Sequence, residues 1–313
     1  MVNRLFTPSA DDIAFTTARV IATQMRSSSA LDARIGRTIY VKDETVQHGG
    51  SFKFRGAILG VRNAARGVVA AGAGNFPIAV GLAARALRKP ACLIIPHDVP
   101  DFKRAQVEET GAEIRVIARS DLAAHARLEA QNRGWSNLHA FENTEMIAGS
   151  YTLGLEIVAA IQEKSAGSDA VVVACGGGGL AAGVTLALRS RPIDVAIYIV
   201  EPQTHRRYAK ARESGMPVRI SPSGETICDA LQSRQIGTFA FQVLETSNVQ
   251  VCAVDDGWVR KASGLLREMY GIRAEPSGAL AMAAVLAGAV GQDSDRIWVI
   301  ACGGNVQFPD DEG

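Results

Sequence analysis

Several features that mark specialised classes of protein are scarce in this sequence of 313 residues. The formal net charge is only +1, so neither a nucleic acid nor an anionic membrane surface is an expected partner. No apolar run approaches the roughly 18 residues that a membrane span needs, and residues 1–15 lack the apolar core of a signal peptide. With 47% hydrophobic residues, the chain is expected to be a soluble globular protein.

Cysteine is also rare, and its spacing excludes a common kind of metal site. The five cysteines form no Cys-x-x-Cys motif and no close cluster with histidine, so zinc is not expected. Three of them lie within or just after apolar strand-like runs, which is typical of reduced thiols and indicates a cytoplasmic protein. The cysteines are Cys92, Cys175, Cys228, Cys252 and Cys302.

Short β-branched runs alternate with helical patterns through most of the chain. Several of the runs are apolar on both faces, as buried parallel strands are. This alternation predicts an α/β fold with parallel sheets, in which ligands bind beyond the carboxyl ends of the strands. Strands are predicted at 38–42, 67–71, 91–95, 113–117, 170–174, 195–200, 249–254 and 296–301. Helices are predicted at 57–65, 78–87, 102–110, 121–132, 152–163, 180–189, 256–270 and 277–287.

Four consecutive glycines separate a predicted strand from a predicted helix that begins at Leu180. Each glycine costs roughly 0.5–1 kcal/mol relative to alanine in an ordered segment, so the loop is expected to use its bare amides. Amides before a helix N-terminus form an anion cradle, and a phosphate is the natural occupant. A flexible turn is the alternative. Because the pattern is neither GxGxxG nor GxxxxGK(S/T), it indicates no dinucleotide or ATP. The glycines are Gly176, Gly177, Gly178 and Gly179.

A lysine in a second glycine- and serine-rich turn lies between two phenylalanines. Lys53 follows a predicted strand and is flanked by Phe52 and Phe54. Apolar neighbours lower the pKa of an amine and make it a better nucleophile and base. Most lysines are solvated, however, so this turn alone is a weak indication of catalysis.

Five motifs together resemble those of the serine/threonine dehydratase-like family of pyridoxal-phosphate (PLP) enzymes, the fold type II or tryptophan synthase β-like superfamily. Residues 51–57, Ser-Phe-Lys-Phe-Arg-Gly-Ala, resemble the family's PLP-attachment signature. Residues 72–75 resemble its asparagine loop, and 176–180 its phosphate loop. Residues 275–279 and 302–305 resemble its last two motifs. The motifs occur in family order over nearly the whole chain, and Lys-Phe-Arg favours the dehydratase branch over the cysteine synthases.

The resemblance implies a role for each matching residue. Lys53 would hold PLP as a Schiff base and act as the base at the substrate Cα. Phe52 would pack beside the cofactor ring, and Asn75 would bind its phenolic oxygen. Cys302 would face the pyridine nitrogen, where a neutral thiol supplies no fixed negative charge and favours elimination over transamination. The remaining expected cofactor contacts are Gly176, Gly177, Gly178, Gly179, Leu180 and Glu275.

The departures from the family pattern lie around the substrate. The asparagine loop lacks both hydroxyl residues and its histidine, so racemisation through a second serine base is not expected. The substitutions indicate either neutral drift with an unchanged substrate, or a different substrate that is larger or more apolar than serine or threonine, or a specialised biosynthetic reaction. Tyr151 is expected at the mouth of the cleft. The predicted substrate-binding residues are Ser51, Gly72, Ala73, Gly74, Asn75, Phe76, Ser150 and Tyr151.

A divalent metal that some relatives carry is not expected in this chain. The metal site of those relatives begins with a glutamate, which Glu201 matches. The residues that follow, from Thr204 to Arg207, bring two arginines where an acidic ligand would be required. Glu201 is therefore expected to be a solvated or salt-bridged strand end. Asp229 is expected to be structural.

The resemblance also implies two three-layer α/β domains with mostly parallel twisted sheets and PLP in the cleft between them. The larger domain is expected to comprise residues 1–65 and 148–313, and the smaller one residues 66–147. The expected reaction is β-elimination on a hydroxy amino acid such as threonine, serine or a 3-substituted relative. Alternatives are β-replacement, racemisation, and a PLP-binding protein without catalysis. A homodimer is expected.

Overall fold

The computed structural model of the chain describes residues 6–307 and contains two sheets flanked by helices. The ends of the predicted large domain lie outside the described residues. The strands are β1 (Met25–Ser27), β2 (Thr38–Asp43), β3 (Val68–Ala71), β4 (Ala91–Pro96), β5 (Glu113–Ile117), β6 (Ser136–Leu138), β7 (Asp169–Ala174), β8 (Val195–Pro202), β9 (Gln250–Val254) and β10 (Arg296–Ala301).

The helices that connect these strands vary from about two to more than five turns. They are α1 (Ala10–Thr17), α2 (Ser29–Ile35), α3 (Lys53–Asn63), α4 (Asn75–Leu87), α5 (Asp101–Glu108), α6 (Leu122–Arg133), α7 (Thr144–Gln162), α8 (Gly179–Arg189), α9 (Arg207–Ser214), α10 (Thr238–Glu245), α11 (Asp256–Tyr270) and α12 (Pro276–Leu286).

The larger sheet has six strands in the order β1-β2-β10-β7-β8-β9, and only the short edge strand β1 pairs antiparallel. Its central strands β7 and β10 are buried on both faces, whereas the edge strands β1 and β9 are partly exposed. In β7, Val171 and Val173 contribute to one apolar core, whereas Val172 and Ala174 contribute to another on the opposite face. Because successive strand side chains point to opposite faces, helices cover both sides and the arrangement has three layers.

The smaller sheet is wholly parallel, with four strands in the order β5-β4-β3-β6. Val68 and Ala70 of β3 face one core, and Val69 faces the other. This sheet is also covered on both sides. The predicted α/β class with two largely parallel sheets is therefore confirmed.

Helix α3, which begins at Lys53, packs into the core of the smaller sheet. Ile58 and Val61 of this helix share one apolar cluster with Val68 and Leu93 of β3 and β4. The predicted domain limits at 65/66 and 147/148 remain a prediction. This packing favours a first limit that precedes α3.

Helix α7 differs most from its predicted extent. It begins at Thr144, eight residues before the predicted start at Thr152. Gly149 lies inside it because α7 crosses α3 closely there. A Cβ at Gly149 would collide with the backbone of Gly56. None of the helices within residues 6–307 has the length and hydropathy of a membrane span.

Candidate active site

A cleft of about 1030 Å³ lies between the two sheets, at the carboxyl ends of their parallel strands. The loop after β3 contributes Gly72, Ala73 and Gly74 to its lining, and the loop after β7 contributes Gly176 to Gly179. Cys302 enters from the end of β10. Strand order places these three distant segments side by side, as expected for ligand sites in parallel sheets.

Lys53 lies in this cleft at the first residue of α3. Its Nζ donates a hydrogen bond to the carbonyl of Ala140 at 3.1 Å and lies 4.8 Å from the ring centroid of Phe52. Burial lowers the pKa of this amine from the usual 10.5 to about 8, although Cys302 and Glu275 oppose the change electrostatically. A neutral, nucleophilic fraction is therefore available near neutral pH.

A buried ion network fixes the position of the lysine helix. Arg55, two residues after Lys53, is fully buried and donates to both oxygens of Glu44 at 2.8 Å. The same guanidinium donates to Glu156 at 2.7 and 3.1 Å, and Glu156 also accepts from Lys42. Paired charges of this kind compensate one another's desolvation, and here they tie α3 to β2 and α7.

The asparagine loop is tied to the last two motifs by side-chain hydrogen bonds. Asn75 Nδ2 donates to Glu275 Oε1 at 2.6 Å, and Asn75 Oδ1 accepts from Asn305 Nδ2 at 2.8 Å. The second oxygen of Glu275, Oε2, is buried without a hydrogen-bond partner within residues 6–307. Burial raises the pKa of Glu275 to about 7, and the negative charge of Asp229 adds to that effect.

The two central glycines of the four-glycine loop, Gly177 and Gly178, leave no room for a side chain. Gly178 has φ 91°, and a Cβ there would lie 2.7 Å from Ala240. At Gly177 a Cβ would collide with the ring of Phe141. The loop ends as α8 begins at Gly179, so the first N–H groups of that helix have no intrahelical acceptor. These amides and the helix dipole are arranged as an anion cradle requires, and their binding of a phosphate remains a prediction.

Cys302 joins the lysine turn to the end of β10. Its carbonyl accepts from the Phe52 N–H at 3.1 Å, and its Sγ lies 3.7 Å from the carbonyl oxygen of Ser277. Burial raises the pKa of the thiol to about 12. The group facing the cleft from this position is therefore a neutral thiol.

These residues fit PLP on structural grounds. The cleft combines a primary amine of lowered pKa, an amide cradle that excludes side chains, and an unpartnered buried oxygen on Glu275 within the described residues. Bound here, the phosphate would lie in the cradle and the aldehyde carbon at Lys53. The other predicted cofactor contacts, Phe52, Asn75 and Leu180, also line the cleft.

Three predicted substrate contacts do not line the cleft. Ser150 and Tyr151 lie within α7 and are buried in the core of the larger sheet, so their prediction as cleft residues was wrong. Ser150 Oγ bonds the carbonyl of Met146 at 3.0 Å. The Tyr151 hydroxyl bonds Ser190 at 3.0 Å. Ser51 is fully buried behind the lysine turn and also does not line the cleft.

Sequence reasoning missed an ion pair that spans the cleft. Lys103 of α5 bonds Asp229 and lies beside Gly74, and both charged residues line the cleft. Lys103 follows the carboxyl end of β4 by a few residues, which is the one signal that it could reach the site. Asp229 is 126 positions further along the chain, so spacing alone does not reveal the pair.

Comparison with known proteins identifies the family. The family model described as pyridoxal-phosphate dependent enzyme matches residues 17–303. The chain belongs to this family, and the cofactor is PLP.

The similar proteins include an ammonia-lyase, a racemase and a threonine deaminase. The chain is 31% identical to an L-threo-3-hydroxyaspartate ammonia-lyase from Pseudomonas sp., over 91% of this chain and 90% of the relative. The structure of maize serine racemase matches with a TM-score of 0.89 and 28% identity, over 97% of this chain and 96% of that one. The processed form of threonine deaminase isoform 2 from Solanum lycopersicum matches with a TM-score of 0.87 and 25% identity, over 97% and 93%.

Proposed function

We propose that this chain is a PLP-dependent ammonia-lyase that removes a β-substituent from a hydroxy amino acid and yields a 2-oxo acid and ammonia. Threonine, serine and 3-substituted relatives are the candidate substrates. The observation that carries the proposal is the amine of Lys53, which faces the cleft with a pKa lowered to about 8. The ammonia-lyases among its relatives support the same reaction class.

Lys53 is the group that would move the α-proton. When bound, PLP would supply the electron sink that makes the α-proton of the amino acid acidic. A neutral amine accepts such a proton, and the lowered pKa of Lys53 keeps part of it neutral at pH 7. The carbonyl of Ala140, 3.1 Å from Nζ, gives the amine a fixed direction in the cleft.

Cys302 and the asparagine loop favour elimination over the alternatives. A thiol with a pKa of about 12 remains neutral and offers no charge to stabilise a protonated pyridine nitrogen. Ala73 lines the cleft without a hydroxyl, so the loop offers no second base at this position for racemisation. The amides of the loop, at the start of α4, would bind the substrate carboxylate.

The rim of the cleft carries a positive charge that favours an acidic substrate. Arg219 and Arg234 line the rim, are exposed, and form no ion pair with other residues in the range 6–307. An acidic side chain would find charge-assisted partners there. The hydroxyaspartate ammonia-lyase similarity supports this choice. We therefore expect threo-3-hydroxyaspartate to be turned over at least as well as serine.

A substrate panel tests the proposal. The enzyme is incubated with serine, threonine and threo-3-hydroxyaspartate, with and without added thiol, and 2-oxo acid, ammonia, new amino acids and D-enantiomers are quantified. Oxo acid with equimolar ammonia supports the lyase. A thiol-dependent amino acid product, D-enantiomer alone, or PLP binding without turnover would each contradict it. Lys53→Ala should lose turnover, whereas Lys261→Ala, at an exposed lysine, should not.

A cytoplasmic homodimer is part of the proposal. All five cysteines are free, and four of them are buried, as suits a reducing compartment. The dimer is supported by the family resemblance. Light scattering coupled to size exclusion should give twice the chain mass, and a monomer at micromolar concentration would contradict this assignment.

A further inference from the structure

A fully buried arginine lies just outside the cleft wall, and the proposed reaction does not use it. Arg207 is the first residue of α9 and has 0% exposure. Glu201, near the end of β8, is also 0% exposed. Of the two states predicted for this strand end, solvated or salt-bridged, the structure has the salt-bridged one, with Arg207 Nε 3.8 Å from the Glu201 carboxylate.

The hydrogen-bond and ion-pair partners of the Arg207 guanidinium within residues 6–307 are oxygen atoms, and the buried thiols of Cys175 and Cys228 lie close enough to act on it electrostatically. Nε and Nη2 both donate to the carbonyl of His205, at 3.0 and 2.5 Å. Nη1 donates to Ser233 Oγ at 3.3 Å. A carbonyl, a hydroxyl and a carboxylate are the ligand types that a hard cation prefers. The arginine thus places a cation among ligands that would otherwise suit a metal ion.

The buried carboxylate of Glu201 also needs partners that compensate its desolvation. Its two oxygens accept the backbone N–H groups of Tyr208 at 2.7 Å and Ala209 at 3.0 Å, in the first turn of α9. Burial raises the pKa of Glu201 and lowers that of Arg207. Each charge therefore offsets the desolvation of the other, and loss of either leaves an uncompensated buried group.

The contacts of Arg207 reach the wall of the cofactor site. His205 and Ser233 both line the cleft. Ser233 belongs to the segment 229–234, whose Leu231 lies 3.1 Å from the Cβ position of Gly176. This segment therefore packs directly against the phosphate cradle, and Arg207 ties it to the end of β8 and to α9.

We propose that Arg207 is a positioning residue whose guanidinium serves as a built-in cation among three oxygen ligands and holds the cleft wall against the phosphate cradle. The effect on PLP affinity rests on the proposed function. The cation site itself stands on the contacts of His205, Ser233 and Glu201 alone.

The first test compares three variants at neighbouring positions. Arg207→Met removes the charge, Arg207→Lys keeps it without the planar fork, and Arg206→Met changes the exposed neighbouring arginine as a control. We expect the Kd for PLP to rise at least tenfold in Arg207→Met, by less in Arg207→Lys, and within twofold of wild type in Arg206→Met. Unchanged PLP affinity of folded Arg207→Met would overturn the positioning role. If Arg207→Met does not fold, Arg207→Lys is used instead, and unchanged PLP affinity of that variant would overturn the positioning role.

The second test replaces the built-in cation by an external one. Arg207→Asp places a third anionic or carbonyl oxygen ligand beside Glu201 and the His205 carbonyl. We expect the melting temperature and PLP affinity of this variant to rise with millimolar Mg²⁺, Ca²⁺ or Mn²⁺ and to fall with EDTA, while wild type responds to neither. An Arg207→Asp protein indifferent to all three ions would overturn the cation-site assignment. Neither readout needs turnover, so failure here is distinct from failure of the ammonia-lyase proposal.

Discussion

The pH dependence of the reactivity of Lys53 should show that its amine is buried. A pKa of about 8 in place of 10.5 corresponds to about 3 kcal/mol in favour of the neutral amine. At pH 7 about 9% of such an amine is neutral, against about 0.03% of an ordinary lysine. The apoenzyme should therefore react with an amine-acylating reagent at Lys53 on a pH profile that levels off above about pH 8–9.

Mass spectrometry of one sample gives the profile and its control together. Peptides that contain Lys53 and the exposed Lys261 are quantified after brief acylation at each pH. Acylation of Lys261 should continue to rise toward pH 10.5. Glu275→Gln should shift the Lys53 midpoint below 8, because the carboxylate of Glu275 raises the Lys53 pKa. Parallel profiles for Lys53 and Lys261 would refute the lowered pKa.

The lowered pKa of Lys53 also predicts the direction in which the stability of the apoenzyme changes with pH. The unfolded chain keeps a lysine pKa near 10.5, so between about pH 8 and 10.5 it binds more protons at Lys53 than the folded protein does. The contribution of Lys53 therefore increases stability with pH in this window, and the full penalty is present below pH 8. Subtracting urea titrations of Lys53→Met from wild type isolates that contribution. A difference that decreases between pH 8 and 10 would contradict the assignment.

Three further substitutions test the scaffold of the site. Arg55→Met should destabilise the protein by about 3–5 kcal/mol in urea unfolding, because its buried partner Glu44 loses its charge compensation. Arg104→Met, in an exposed ion pair with Glu108, should cost less than about 1 kcal/mol, and equal losses would contradict the network. Gly177→Ala should weaken PLP binding more than tenfold in a fluorescence titration because its Cβ meets a phenylalanine ring, and Gly264→Ala, where nothing lies within 4 Å, should not. Tyr151→Phe should leave KM unchanged and cost about 1 kcal/mol of stability. A raised KM would indicate that Tyr151 contacts the substrate after all.

The fold and the cofactor end of the site could be predicted from the sequence because their causes are local. Buried parallel strands are apolar on both faces, and β7, β8 and β10 carry that pattern in their own residues. In the lysine turn and the glycine loop, a few consecutive residues likewise determine the backbone conformation. Strand order then determines that these runs meet.

The substrate-binding residues were predicted less well because a glycine can have two structural roles that look the same in a sequence. Ser150 and Tyr151 were predicted as substrate contacts before a helix at Thr152, yet they lie inside α7, where the preceding Gly149 packs against Gly56 at a helix crossing. A glycine that permits close helix packing and a glycine that forms a turn are identical in sequence. Only the partner helix distinguishes them, and α3 lies far earlier in the chain. The Lys103–Asp229 pair was missed for the same reason, since neither residue is unusual in its own segment.

The departures in the asparagine loop are coupled by packing. A Cβ at Gly72 would lie 3.2 Å from Pro77 Cδ, so the proline and a serine at position 72 compete for space. The charged donor beside the loop is Lys103, whose Nζ lies 3.6 Å from the Cβ position of Gly74 and bonds Asp229 across the cleft. A serine substituted for Gly72 would therefore make a close contact with Pro77, while Lys103 would keep its position. We therefore expect the specificity of this cleft to depend on the loop, Pro77 and the ion pair together, and a serine at position 72 alone should not change the preferred substrate.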